Sequence, residues 1–333
     1  MTHRWTIAIS GLLVASVLIG CDRNREKDER AEAVSEKEQE SEQKKKVERE
    51  EQDESGSAKA ETASPGEGAE AINTFGHAML GRAGEGNVAF SPTSISTVMG
   101  MLYAGAGGDT AKQIADAFAF TEGVVPSLGA LTSALKTRNK EITEEEEVRF
   151  NLVNDIWLQK GFQVQKGYLD EIDRYFQATP RQLEFKKSPE DARSKINDYI
   201  SKQTHKKIPE LVPQSAIRRD TRTVLTNAVY MKASWATPFP EDATKEETFH
   251  APDGDVETPT MHLEEHNRTA TGEGFRALEL PYIGADLAAL VILPDKGKMA
   301  DVQERMTAEA FTETIDSLER KYIDVALPKF EVR

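Results

Sequence analysis

Residues 71–333 predict a layered α+β fold, with helices packed on mixed β-sheets, and three observations carry that prediction. In the first half, apolar residues recur at helical spacing behind Ser, Thr or Asp starts. In the second half, short runs rich in Val, Ile, Leu and aromatic residues are bounded by Gly, Pro, Asn and Asp. No segment repeats at a fixed period, so a solenoid or propeller is excluded.

The spacing predicts helices over 70–82, 92–104, 110–118, 127–139, 166–177, 189–204 and 308–320, and strands over 148–159, 181–185, 223–231, 256–262, 276–282, 286–293 and 323–332. The helix from Pro92 has the clearest start. Ser91 can accept from an orphan N–H of the first turn, and proline at the first helical position loses no bond the helix needs. Ile95, Val98, Met99 and Leu102 fall on one face of it, while Ser91, Ser94 and Ser96 suit close approach of another element's backbone. Thr223–Met231 and Asp286–Leu293 lack a clean alternation, which predicts strands covered on both faces.

Two segments precede this domain. Residues 1–21 read as an export signal: His3 and Arg4 stand before an apolar stretch from Ile7 to Ile19 that is too short for a comfortable membrane span. Leu18-Ile19-Gly20-Cys21 resembles a lipobox, after which Cys21 would be acylated, placing the protein at the cell envelope or its outer face. Residues 22–70 hold seventeen acidic and ten basic side chains and no aromatic residue. Such a segment cannot offset its ordering entropy by burial and reads as a charged flexible tether. Cys21 is the only cysteine, so no internal disulfide forms. The formal net charge of −15 argues against nucleic acid or an anionic membrane surface as a partner.

The string NVAFSPTSISTVMGMLYAGAGGDTAKQIADAF, from Asn87 to Phe118, resembles a signature of the serpins, serine-protease inhibitors that work by a fold rearrangement. NLVNDIWLQKGF, INDYISKQTHKKIPELV, TVLTNAVYMKASWATPFPEDATKEETF, ALELPY, VILPDKGK and DVALPKFEV then occur in the family's order. The resemblance implies a monomeric inhibitor of serine, or alternatively cysteine, endopeptidases. It needs no cofactor and is not itself an enzyme: a reactive loop is cleaved as bait and inserts as an extra strand in the main sheet. It further implies that Ser91, Ser94 and Asn227 match the shutter, where the sheet opens, and that Trp235 matches the breach, where insertion begins, with Phe239, Thr244 and Phe249 continuing that motif. No stretch up to Arg333 resembles the hinge and bait that the family carries, so no reactive bond is read and the sequence is expected to be a fragment. The alternative within the family is a non-inhibitory binding or scaffold lipoprotein.

Two competing chemistries are weighed. His262-Leu263-Glu264-Glu265-His266 fits the H-x-x-E-H pattern of zinc peptidases, which requires a helix. The flanking TPT and NRTATGEG favour a strand end and polar loop, so a zinc hydrolase ranks last. Lys136, Arg138 and Lys140 precede the acidic run Glu144–Glu147 and read as solvated surface.

Overall fold

The computed structural model describes Arg4–Thr6 and residues 64–82, 86–143, 148–178, 180–251, 254–284 and 287–331. Cys21, nearly all of the tether, the Glu144–Glu147 run and Arg333 lie outside the described residues, as do the side chains of Lys136, Arg138 and Lys140.

Four helices come first in the domain: α1 (Gly66–Leu80), α2 (Pro92–Ala104), α3 (Gly108–Phe118) and α4 (Val124–Thr143). The first begins four residues before the expected start, within the stretch read as the end of the tether. Its early turn is held by Ser127, whose hydroxyl accepts from Gly68 N at 2.7 Å and donates to Ser64 O at 2.5 Å. On α2 the expected cap is present, Ser91 Oγ accepting from Ser94 N at 3.2 Å. The expected apolar face is not the buried one. Ser96, Thr97, Gly100 and Met101 are buried, whereas Leu102 is 43% exposed. The reason is close approach: a Cβ on Gly100 would stand 2.7 Å from Leu128 Cδ1 on α4, so small residues rather than large ones face inward.

The central layer is a three-stranded sheet in the order β3-β2-β4, formed by β2 (Val148–Gln159), β3 (Pro180–Leu183) and β4 (Thr223–Ala233). Between these strands lie α5 (Lys166–Phe176) and α6 (Pro189–Gln203). β3 runs parallel to β2 and β4 antiparallel to it. One face carries Leu152, Ile156 and Leu225 into a core with Met101, Leu128, Ile172 and Phe176 from α2, α4 and α5. The other face carries Val153, Trp157 and Ala228 against Phe185, Ile196 and Ile200, which brings α6 over it.

The second sheet has β1 (Arg4–Thr6), β5 (Lys245–Ala251), β6 (Gly254–Gly272), β7 (Phe275–Pro281), β8 (Ala288–Pro294) and β9 (Glu319–Pro328), with α7 (Met299–Arg305) and α8 (Ala308–Asp316) before the last strand. Its order is β1-β9-β6-β7-β8, with β5 also on β6. The 19-residue β6 extends ten residues past the expected 256–262 strand, so the histidines at 262 and 266 stand within a strand. β5 and α7 were not expected, and the Arg4–Thr6 strand falls inside the segment read as a leader.

His77 marks the contact of α1 with α8. Its ring lies 4.9 Å from that of Phe311, and burial pushes its pKa down, opposed in part by a backbone hydrogen bond at Met306. The fold therefore favours neutral His77, and the unfolded chain binds the extra proton. That contribution to stability is complete above about pH 6.5 and is lost as pH falls below it. We predict that the denaturation midpoint of wild type, relative to His77→Phe, declines on going from pH 7 to pH 5; a pH-independent difference would contradict the assignment.

Candidate functional site

Antiparallel pairing of β2 with β4 extends over eleven residue pairs, from Val148↔Ala233 to Leu158↔Thr223, and sets Asn154 directly opposite Asn227. Both side chains share the face of Leu152, Ile156 and Leu225, under the α2–α4 helix layer. Asn227 Nδ2 donates to Asn154 Oδ1. The other two amide atoms, Asn154 Nδ2 and Asn227 Oδ1, are buried and have no hydrogen-bond partner among the described residues. The bond between the two side chains uses one donor group and one acceptor, and the remaining amide groups stay available to other partners.

The adjacent positions on the opposite face are polar as well. Asp155, 3% exposed, accepts from Arg181 Nε at 2.9 Å. The same guanidinium donates to Tyr199 Oη at 3.0 Å and lies over that ring at 4.4 Å, which ties β3 and β2 to α6. The hydrogen bond to Asp155 raises the Arg181 pKa further, and burial together with the Asp155 charge raises that of Tyr199. Asp155 Oδ2 remains buried and unpartnered among the described residues. Trp157 Nε1 donates to Thr226 Oγ1 at 2.9 Å across the strand pair.

Ser91 and Ser94 are joined to each other through the cap of α2, and no hydrogen bond connects either to Asn227 among the described residues. Ser96, next along the same helix, is fully buried with an unpartnered Oγ. Asn154 and Ser96 are the residues that the sequence reading passed over as site members. The signal for Asn154 was present: a polar residue at the centre of NLVNDIW, in phase with Leu152 and Ile156.

Trp235 stands two residues beyond β4. It pairs with Tyr282 as an isolated antiparallel bridge, its ring stacked on that of Tyr282 at 4.6 Å and 9° and meeting Phe239 edge-on at 6.4 Å. Ala236 N donates to Pro281 O at 2.8 Å and Ile283 N to Ser234 O at 3.0 Å. Burial raises the Tyr282 pKa. Trp235 thus joins the end of β4 to the end of β7, about 26 Å along the strand from Asn227 at roughly 3.3 Å per residue. Thr244 follows a single 3-10 turn, Glu241–Ala243, and Phe249 sits opposite Val256 in the β5–β6 hairpin.

The zinc reading fails on secondary structure. His262 and His266 lie on β6, where residues four apart are about 13 Å apart rather than one helical turn. His262 Nε2 is 3.1 Å from Glu247 Oε1 without hydrogen-bond alignment, and the ring of His266 packs on Tyr322 at 5.1 Å. Among the described residues no group of three His, Cys, Asp or Glu is placed to hold a metal ion.

The family profile described as Serpin (serine protease inhibitor) matches residues 71–333. An uncharacterized serpin-like protein of Thermococcus kodakarensis is 34% identical over 246 residues, covering 73% of this chain and 56% of that protein. Serpin B4 of Homo sapiens is 30% identical over 269 residues, covering 74% and 68%, and antithrombin-III of Mus musculus 30% over 267 residues, covering 78% and 57%. The chain spans 56–58% of the length of the archaeal relatives it matches. Among solved structures, emu ovalbumin superposes with a TM-score of 0.73 at 21% identity, covering 78% of this chain and 73% of that one.

The asparagine pair can be tested by a double-mutant cycle. Asn227→Leu leaves Asn154 Oδ1 buried without its donor and should cost about 1–3 kcal/mol. Asn154→Leu with Asn227→Leu should cost less than the sum of the two single changes, because both polar partners are then gone. Additive losses in urea denaturation would show that the pair is not coupled.

Proposed function

Since the chain belongs to the serpin family, we propose that it is a lipid-anchored inhibitor of serine-type endopeptidases, or alternatively of cysteine endopeptidases, and that its own chemistry is conformational. A target enzyme attacks the bait loop as a substrate and forms an acyl-enzyme. Insertion of the cleaved loop as a sheet strand then traps the ester before water reaches it. The observation that carries the reading is the match of residues 71–333 to the serpin family profile, together with the Asn154–Asn227 pair that the β2–β4 register sets at the centre of the sheet. Side-chain amides at that place are able to exchange hydrogen-bond partners when strands part.

In this reading Ser91 and Ser94 fix the start of the helix that lies over the opening strand, and Asn227 exchanges hydrogen bonds as the sheet parts. Trp235, bolted to Tyr282, resists separation at the end where insertion starts. The anchor rests on Leu18-Ile19-Gly20-Cys21, and the acidic tether would hold the inhibitor within reach of large enzymes outside the membrane. Cleavage before Cys21 would also remove β1, which pairs with β9.

The inhibitory reading predicts that the protein produced from its native gene, mixed with a panel of serine endopeptidases, yields a complex that survives boiling in detergent. Absence of such a complex across the panel would favour a binding or scaffold role for the same fold. Anchoring is tested separately. Wild-type protein should enter the detergent phase on phase separation and incorporate labelled fatty acid, and Cys21→Ser should abolish both; retention of both by the variant would refute acylation at this residue.

A further inference from the structure

The topology of the three-stranded sheet brings three basic loops to one pole. β2 and β3 end there and β4 begins there, because β3 is parallel to β2 and β4 antiparallel. The turn after β2 supplies Lys160, the loop after β3 supplies Lys186 and Lys187, and the loop before β4 supplies Arg218, Arg219 and Arg222, all exposed. Against these six cations stand Glu184 and Asp220 in the loops, with Glu190 and Asp191 in the first turn of α6 after Lys187. Asp220 pairs with Arg218 at 3.3 Å, and Glu184 is engaged by the Gln159 side chain. None of the ion pairs among the described residues involves Lys160, Lys186, Lys187 or Arg219.

One buried residue, through its backbone and its side chain, fastens the three loops together. Gln159 N donates to Arg222 O at 2.8 Å, its Oε1 accepts from Lys186 N at 2.8 Å, and its Nε2 donates to Glu184 Oε1 and Lys160 O, each at 3.0 Å. The guanidinium of Arg222 is itself held on the carbonyls of Arg219 and Thr221. From this base a turn, closed by Phe162 N donating to Gln159 O at 2.9 Å and permitted by Gly161 at φ +79°, presents Phe162 to solvent at 41% exposure. Part of a large aromatic ring is thereby left in water beside the cluster of cations.

We infer that this pole is a docking surface for an anionic lipid bilayer, with the cations attracted to headgroups and Phe162 entering the interface. The net charge of −15 does not oppose this locally. At physiological ionic strength charges more than about 8 Å away are largely screened, so a surface senses the pole and not the whole chain. Anionic headgroups reward a cluster of Lys and Arg, and aromatic rings settle at the headgroup level; a purely electrostatic ligand would have no use for Phe162. The surface is independent of acylation at Cys21 and would act in addition to it.

The test uses the full chain carrying Cys21→Ser, so that acylation plays no part, and compares its sedimentation with phosphatidylglycerol-containing vesicles and with pure phosphatidylcholine vesicles. Reversing Lys160, Lys186, Lys187 and Arg219 to Glu in that chain should weaken binding to the anionic vesicles about tenfold or more and flatten its salt dependence. Phe162→Ser should weaken binding while preserving that salt dependence. A control with Lys112, Lys245, Lys321 and Lys329 reversed changes net charge equally and should bind as the parent does; circular dichroism of each variant checks folding. Equal binding by parent and four-residue pole variant, or an equal loss in the control, would overturn the proposal. So would saturable binding of dextran sulfate that requires the same cations but is unchanged by Phe162→Ser, which would identify a soluble polyanion as the occupant.

Discussion

The antiparallel pairing of β2 with β4 is the constraint on which the remaining structure depends. It is sandwiched, with α2, α4 and α5 contributing to the core on one face and α6 covering the other. The two strands are covered unequally: β2 is buried from Leu152 to Gln159, whereas on β4, expected to be covered on both faces, only Thr226 and Ala228 are buried. Their backbone bonds are also made in a low dielectric, where they are strong and where any unpaired polar group is expensive. Asn154, Asp155, Thr226 and Asn227 break the apolar pattern at two successive register positions. Thr226 is satisfied by Trp157, and Asp155 is held on one oxygen by Arg181. The asparagines complete one hydrogen bond between them and leave two amide atoms open.

Trp235 extends the constraint to the second sheet. The stacked Trp235–Tyr282 pair and two flanking backbone hydrogen bonds attach the end of β4 to the turn after β7. The same tryptophan packs with Phe239 against the apolar cluster of the second sheet, to which Leu278 and Leu280 belong. Movement of β4 at that end must therefore disturb an aromatic stack worth roughly 0.5–1.5 kcal/mol beyond its buried area. The centre of β4 carries an amide pair while its end is bolted.

Legibility in the sequence followed how local the determining physics was. α2 was readable at its start because Ser91-Pro92 is a self-contained signal, and β2 because Val148, Phe150, Leu152, Val153, Ile156, Trp157 and Leu158 carry strand propensity over its length despite the polar residues between them. The face of α2 was not readable, since Gly100 faces inward only because Leu128 and Phe176 occupy the space beside it. β6 was read short because Glu, His, Asn and Thr after Leu263 resemble a loop. They form a strand there because β9 and β7 supply backbone partners on either side. In the site, Asn227 was visible by resemblance and Asn154 was not, although register makes them one unit. The basic pole was beyond reach of the sequence, as residues 160, 186 and 222 meet only through strand direction and the Gln159 bonds.

Amides inside a sheet need an explanation in energy. Leaving a buried polar group unsatisfied costs about 1–3 kcal/mol, a large part of a typical net stability of roughly 5–15 kcal/mol. An apolar pair at positions 154 and 227 would carry no such risk, so the amide pair is a costly choice for stability alone. Under the inhibitory reading that choice has a use. Amides at the centre of β2 and β4 can trade hydrogen bonds when the sheet opens, which leucine or valine could not do.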